Sequence, residues 1–282
     1  MSDLHIRREG RAGRITLDRA HALNALSYEM CLEIDAALRG WAEVDAVALV
    51  VIDAIGDKAF CAGGDLGEMY ATGSAGDHGY GRRFWADEYR MNARIAEYRK
   101  PVVTLMQGFT LGGGVGLGCH ASHRVVCESS RIAMPECAVG IVPDVGGSYL
   151  LARAPGRVGA YLGLTGARMT PGCAIWAGFA DYFVPRAEWA RLVGDLAATG
   201  DVGAIPSHPA PGSSLLAQAA QIDRLFARQS GADIGAALQA EDGAFAAEAL
   251  TMLARGSPLA QACALEILHR LGPVPSIRAA LA

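Results

Sequence analysis

The most regular pattern in the chain is a set of short apolar runs without polar alternation. Residues 46–54, AVALVVIDA, are continuous and rich in β-branched side chains. Such a run predicts a strand buried on both faces, as in a parallel sheet. PVVTLMQG (101–108), RVVCES (124–129) and ADYFV (180–184) repeat the pattern, and the polar helical stretch GRRFWADEYRMNARIAEYR precedes the first of these three. Near the start, LHIRREG and RITLD read as two short strands joined by a Gly10–Gly13 turn, and Ser27 stands as the cap of a helix through YEMCLEIDAALRGWAEV. Strands alternating with helical stretches predict an α/β fold with crossover connections. After about Pro185 the pattern becomes helical: WARLVGDLAAT, SSLLAQAAQIDRLFARQ, IGAALQAEDGAFAAEALTMLARG and PLAQACALEILHRL, with SHPAPGSS as a linker. The expected organisation is an α/β core over residues 1–185 and a helical C-terminal region over 186–282.

Composition narrows the classes. Of 282 residues 51% are apolar and 19% charged, which suits a sizeable core and not a disordered chain. The net charge of −4 argues against a nucleic-acid partner, which needs a basic face. No apolar run reaches the roughly 18 residues of a membrane span, and MSDLHIRREG has no apolar core of a secretory signal. Seven scattered cysteines without a CxxC fit reduced thiols in the cytoplasm and neither a disulfide framework nor a zinc site. His120 and His123 have helical spacing, but two histidines without a third ligand give no expectation of a metal.

The stretch LGGGVGLG, Leu111 to Gly118, carries five glycines in eight residues. It is no phosphate loop, because no GK[ST] closes it. A dinucleotide fingerprint survives only as Gly116-x-Gly118-x-x-Ala121, with Glu136 where a ribose-binding acid would stand, and no strand ends directly before its first glycine. A nucleophile elbow is absent, since GGSYL lacks the closing glycine. Two readings remain: a helix-packing seam through Gly112, Gly116 and Cys119, or backbone left bare for a ligand. A second bare stretch, KAFCAGGDL from Lys58 to Leu66, follows the buried run AVALVVIDA and shifts the balance to the ligand. Two glycine-lined strand ends, with a helix starting near Gly113, can aim two N–H groups at one oxygen that gains negative charge.

KAFCAGGDL and GFTLGGGVGLG, followed by MPECAVGIVPDVGGSYLL, resemble the enoyl-CoA hydratase/isomerase (crotonase) superfamily. FCAGGD, FWADEYRMN, GGGVGL and MPECAVGIVPDVGG are most similar to its 3-hydroxyisobutyryl-CoA hydrolase branch, and the resemblance runs from about residue 10 to 255. It implies a crotonase-like spiral of ββα turns with a helical C-terminal region, an acyl-CoA substrate, no separate cofactor, and a homo-oligomer, trimers being common in the superfamily. It implies oxyanion donors at the backbone N–H groups of Gly64 and Gly113. Substrate contacts are implied at Lys58, Ala62, Gly112 and Gly116, with Lys58, Arg82 or Arg83 toward CoA phosphate; the superfamily's other lysine, after the AGxD motif, falls on Gly67.

A hydratase of this superfamily places one glutamate three residues after the second oxyanion glycine. Here that position is Gly116, whereas the second glutamate is present as Glu136. The hydrolase branch pairs that glutamate with an aspartate eight residues on, here Asp144. The resemblance thus favours thioester hydrolysis of a short 3-hydroxyacyl-CoA, as in valine breakdown. Glu136 is expected as nucleophile or general base, and Asp144 as the group that positions water and gives a proton to the thiolate. Asp65 is expected to be structural, and Cys61 a small core residue rather than a nucleophile. Relatives in this branch continue for several dozen residues beyond IRAALA, so a shortened helical region is expected. Hydratase or isomerase activity, or CoA binding with little turnover, remain as alternatives.

Overall fold

A computed structural model of the chain describes residues 3–272 and 276–282. Met1 and Ser2, at the start of the segment read as lacking a secretory signal, lie outside the described residues. β1 (Leu4–Glu9) and β2 (Ala12–Leu17) form the expected antiparallel hairpin, turning through Gly10 at φ 55°. The chain then alternates between two sheets. β3 (Leu49–Ala54) joins the first and β4 (Ala59–Cys61) opens a second. β5 (Val102–Met106) and β6 (Phe109–Leu111) repeat the step, as do β7 (His123–Val126) and β8 (Arg131–Ala133). β9 (Tyr182–Phe183) completes the large sheet, whose order is β1-β2-β3-β5-β7-β9; the small sheet is β4-β6-β8. Apart from the β1–β2 hairpin, every pairing between these strands is parallel. Each turn of the chain therefore gives one strand to each sheet, which is the spiral the family resemblance implies.

The unalternating runs have a direct cause. Val50 and Ile52 of β3 pack into the main core, whereas Leu49 and Val51 pack into a second core on the opposite face. The helix Trp189–Thr199 covers that second face with Trp189, Leu192, Val193 and Leu196. The sequence pattern groups this helix with the C-terminal helices; in the structure it belongs to the sheet. Helix α1 (Tyr28–Trp41) starts at Ser27, whose hydroxyl accepts from Met30 N–H at 3.2 Å, and it buries Met30, Cys31, Ile34 and Leu38. Helices α2 (Leu66–Ser74) and α3 (Gly79–Ala96) follow β4. Helices α4 (Gly113–Gly118) and α5 (Gly147–Arg153) follow β6 and β8.

The C-terminal helices Ser214–Phe226, Ala244–Leu253 and Pro258–Leu271 form a layer against Val158–Thr165, Gly231–Gln239 packs on all three, and Pro258–Leu271 also packs on α5. IGAALQAEDGAFAAEALTMLARG, one helical run by its apolar spacing, is two helices. Gly243 at φ 116° breaks it, a conformation open to glycine at little cost.

Candidate active site

The three strands of the small sheet run parallel, so their carboxyl ends lie side by side, with Cys61 beside Thr110 and Leu111 beside Ala133. Three chain reversals emerge from that one edge. β4 leads into Ala62, Gly63 and Gly64; β6 leads into Gly112 and α4; β8 leads into Met134, Pro135 and Glu136. They surround a cavity of about 110 Å³ lined by Ala62, Gly64, Gly112, Gly113, Glu136 and Asp144 among others. Carboxyl ends of parallel strands are a recurrent ligand position, because helix N-termini and loops converge there.

Glycine is required at these turns for different reasons. Gly63 sits at φ 114° and Gly112 at φ 50°. A Cβ on Gly113 would lie 2.8 Å from Glu88 Oε1 and 3.0 Å from the Gly64 nitrogen, so the two backbones approach as closely as bare chain allows. Neither Gly64 nor Gly113 N–H has a backbone acceptor among the described residues. Two unpaired donors on one cavity wall are suited to an oxygen that gains charge, and α4 adds the positive end of its dipole. The turn is fixed from outside the cavity: Leu26 N–H donates to Gly63 O at 2.8 Å and Asp65 N–H to Leu26 O at 2.9 Å. Asp65 itself caps α2 by accepting from Glu68 N–H and pairs with Arg19 at 2.7 Å.

The rest of the glycine run serves packing. A Cβ on Gly114 would lie 2.2 Å from Cys61 O, and one on Gly118 would lie 2.7 Å from Met106 Sδ. One on Gly116 would lie 2.7 Å from Val145 Cβ and 2.8 Å from Asn92 Nδ2. Gly116, expected among the substrate contacts, stands behind the wall and does not line the cavity. Lys58 does not line it either: its side chain is exposed, and its carbonyl accepts from Phe109 N–H at 2.9 Å. Arg83 pairs with Asp77 at 2.6 Å on the outside of α3. No lysine or arginine lines the cavity among the described residues, so the structure brings Ala62, Gly64, Gly112, Gly113, Glu136 and Asp144 together and leaves the CoA-phosphate candidates apart.

Three carboxyl groups meet in the cavity. Glu136 is buried, with Oε2 unpartnered, and burial together with the nearby Asp144 and Glu88 carboxyls pushes its pKa well above the usual range. Glu88, also buried and with Oε1 unpartnered, is pushed up to about 8 by burial and then by Asp144. Asp144 is half-buried; desolvation raises it to about 6, against the opposing hydrogen bond that Tyr89 OH donates to its Oδ2 at 3.1 Å. Burial thus works against the charged form of all three carboxyls, and Asp144, raised only to about 6, keeps its charge more easily than Glu88, raised to about 8. Glu136, expected as nucleophile or base, and Asp144, expected to position water and give a proton, both line the cavity.

Glu88, Tyr89, Trp85 and Met69 are parts of the site to which the sequence reading gave no role, although FWADEYRMN spans three of them. The available signal was periodicity: Phe84, Glu88, Met91, Asn92 and Ile95 form the buried stripe of α3, and an acid on such a stripe needs a reason. Cys61 is buried, its thiol pushed up to about 12 by desolvation, and Sγ faces Gly63 O at 3.7 Å; it is a core residue and no thiolate nucleophile. His123 stacks on Tyr182, and His120 Nε2 meets Val145 O at 2.8 Å.

The enoyl-CoA hydratase/isomerase sequence family matches residues 12–282. A relative from Danio rerio, called 3-hydroxyisobutyryl-CoA hydrolase, mitochondrial, is 37% identical over 91% of this chain and 70% of its own length. The Gallus gallus protein of the same name is 42% identical over 70% of this chain and 51% of its own. The chain spans about half the length of the first such relatives it matches. Among solved structures, one described as an enoyl-CoA hydratase from Rhodobacter sphaeroides is 62% identical, with a TM-score of 0.97 over 99% of this chain and 82% of that one. Another, described as a carnitinyl-CoA dehydratase from Mycobacterium thermoresistibile, is 39% identical with a TM-score of 0.96 over 100% of this chain and 83% of that one. The relatives' names divide between hydrolase and hydratase. No helix among the described residues is long and apolar enough to cross a membrane.

Proposed function

The chain belongs to the enoyl-CoA hydratase/isomerase family, and from that premise we propose that it is a cytoplasmic hydrolase of an acyl-CoA thioester with a short 3-hydroxyacyl group, such as 3-hydroxyisobutyryl-CoA. The observation that carries this reading is the occupancy at position 116. A hydratase needs a second glutamate there, and a side chain at Gly116 would run into Val145 Cβ at 2.7 Å and Asn92 Nδ2 at 2.8 Å. The carboxyls that are present, Glu88, Glu136 and Asp144, line a small cavity with the two backbone donors, an arrangement able to bind and attack a thioester carbonyl. The relatives called 3-hydroxyisobutyryl-CoA hydrolase support the same choice.

In this mechanism the thioester oxygen accepts from Gly64 and Gly113 N–H. Each such donor contributes about 2.7–4 kcal/mol to the transition state. Asp144, the carboxyl that ionises first, takes a proton from water as the water oxygen attacks the carbonyl carbon. The tetrahedral oxyanion collapses, the C–S bond breaks, and Glu136, whose proton-bearing form burial favours, gives its proton to the departing sulfur. Glu88, neutral beside Gly113, offers an O–H donor to a hydroxyl or carbonyl of the acyl group. Leu66, Met69, Trp85 and Val139 supply the apolar wall.

A panel of acyl-CoAs read for free-thiol release and for loss of enoyl absorbance tests the reading. Thiol release without hydration supports it. Hydration of an enoyl-CoA without thiol release supports instead the second reading, a hydratase, which the name of the Rhodobacter sphaeroides structure favours.

A further inference from the structure

We propose that His120 is a positioning residue that holds the Asp144 carboxylate in place by clamping the carbonyl of its strained neighbour, Val145. Val145 has φ 47°, a left-handed conformation that a β-branched side chain avoids, and Gly146 follows at φ 73°. The turn itself is closed by Gly147 N–H, which donates to Asp144 O at 2.6 Å, and three neighbours fix how Val145 sits in it. His120 Nε2 lies 2.8 Å from Val145 O. Gly116 of α4 leaves room for the Val145 side chain, since a Cβ there would come within 2.7 Å of Val145 Cβ. On the other side, a Cβ on Gly146 would lie 2.7 Å from His120 Nε2 and 2.6 Å from Ile277 Cδ1.

The protonation of the clamp follows from its surroundings. His120 is buried, and desolvation lowers its pKa to about 4, so the ring is neutral at working pH. A carbonyl only accepts, so the single ring proton sits on Nε2 and is donated to Val145 O. Nδ1 is left as a bare acceptor, and it has no partner among the described residues. A neutral donor of this kind does not switch with pH across the working range. It fixes the backbone from the C-terminal side of α4, the helix whose first residue is Gly113. His120 thereby ties the backbone donor and the carboxylate of one site to a single rigid connection.

The groups facing Asp144 are Glu88 and Tyr89 from α3 and Glu136 from the turn after β8; Arg124 is the charged group felt by His120. A freed Val145 lets the Asp144 carboxyl swing away from Tyr89 and toward solvent; losing the Tyr89 bond raises its ionisation, but regained hydration, the larger effect, moves it down from about 6 toward the ordinary aspartate range.

The kinetic part of this proposal rests on the thioester-hydrolase reading; the structural part does not. His120→Phe removes the donor and keeps a flat ring. His120→Gln keeps a donor close to the Nε2 position. Thiol release by His120→Phe should fall in kcat by about 10²-fold, the usual effect of a misplaced reacting group, with KM within about threefold of the parent, and His120→Gln should recover most of it. Infrared difference titration of the Asp144 carboxyl, assigned with Asp144→Asn, should show its midpoint lowered in His120→Phe and restored in His120→Gln. In a Val145→Gly background, where glycine takes the turn without strain, His120→Phe should cost no more than about threefold. That background also carries the test should the single variant not fold. The proposal is overturned if folded His120→Phe keeps the parent's Asp144 midpoint, or if His120→Gln falls as far as His120→Phe. Absence of thiol release in the parent protein would sink the hydrolase reading alone, and the carboxyl titration would still decide the role of His120.

Discussion

Glu88 is an acid held neutral inside the core, and Glu88→Gln should change how the protein's stability depends on pH. The Glu88 carboxyl moves from an ordinary 4.5 to about 8 because burial and the Asp144 carboxylate both oppose its charge. A raised folded-state value means the group favours folding fully below about pH 4.5, where both states are protonated. From there to about pH 8 the unfolded chain ionises and the folded chain does not, so stability falls by about 1.4 kcal/mol per pH step. Above about pH 8 the loss levels off near 5 kcal/mol, a ceiling because Asp144 shares the effect. Glutamine never ionises, so this slope disappears. It does place an amide where Glu88 Oε1 finds no partner, at a pH-independent cost of about 1–3 kcal/mol. The variant should therefore be less stable than the parent near pH 5 and more stable near pH 9, with a crossover between. Urea unfolding of both proteins across that range reads the difference directly. Parallel stability curves would refute the placement of Glu88 as a buried, neutral acid.

Four further outcomes follow from the same geometry. Glu136→Gln, nearly isosteric, should lower turnover by about 10²–10⁴-fold without unfolding the chain, checked by steady-state thiol release beside a melting curve. Asp144→Asn should remove the acid limb of kcat/KM, which in the parent falls as pH drops through about 6, and its combination with Glu136→Gln should fall little further than either alone. Gly113→Ala, whose Cβ would sit 3.0 Å from the Gly64 nitrogen, should cost at least about 10²-fold in turnover while an acyl-CoA still binds by calorimetry. Gly116→Glu should destabilise by at least about 1–3 kcal/mol and gain no hydration of enoyl-CoA, because its side chain meets Val145 and Asn92 before it reaches the cavity.

Much of the candidate site was legible because its parts carry strong local signatures. Gly64, Gly113, Glu136 and Asp144 sit in short, distinctive stretches, and the parallel small sheet sets the first three side by side at its carboxyl end. The buried runs of the large sheet were equally legible, since each is covered on both faces. The strands of the small sheet were not. Ala59–Cys61, Phe109–Leu111 and Arg131–Ala133 have three residues each, too few for a period to register. Glu88 escaped notice because a single acid within a polar helical stretch looks solvated until the stripe of Phe84, Met91 and Ile95 is seen to be buried. Gly116 shows the opposite limit. Its glycine neighbours suggest ligand contact, but only the three-dimensional approach of Val145 and Asn92 identifies it as packing. The upward shifts of the Glu136 and Asp144 carboxyls are likewise a property of burial, to which mutual charge adds for Glu136, and spacing along the chain does not encode it.

Single-turnover reaction of 3-hydroxyisobutyryl-CoA with excess enzyme, for the parent and for folded Glu136→Gln, bears most directly on the claim that this site cleaves a thioester. The account predicts release of one free thiol per substrate by the parent and a rate lower by at least about 10²-fold in the variant. Near-parental thiol release by Glu136→Gln, or no thiol release by the parent alongside hydration of an enoyl-CoA, would contradict it.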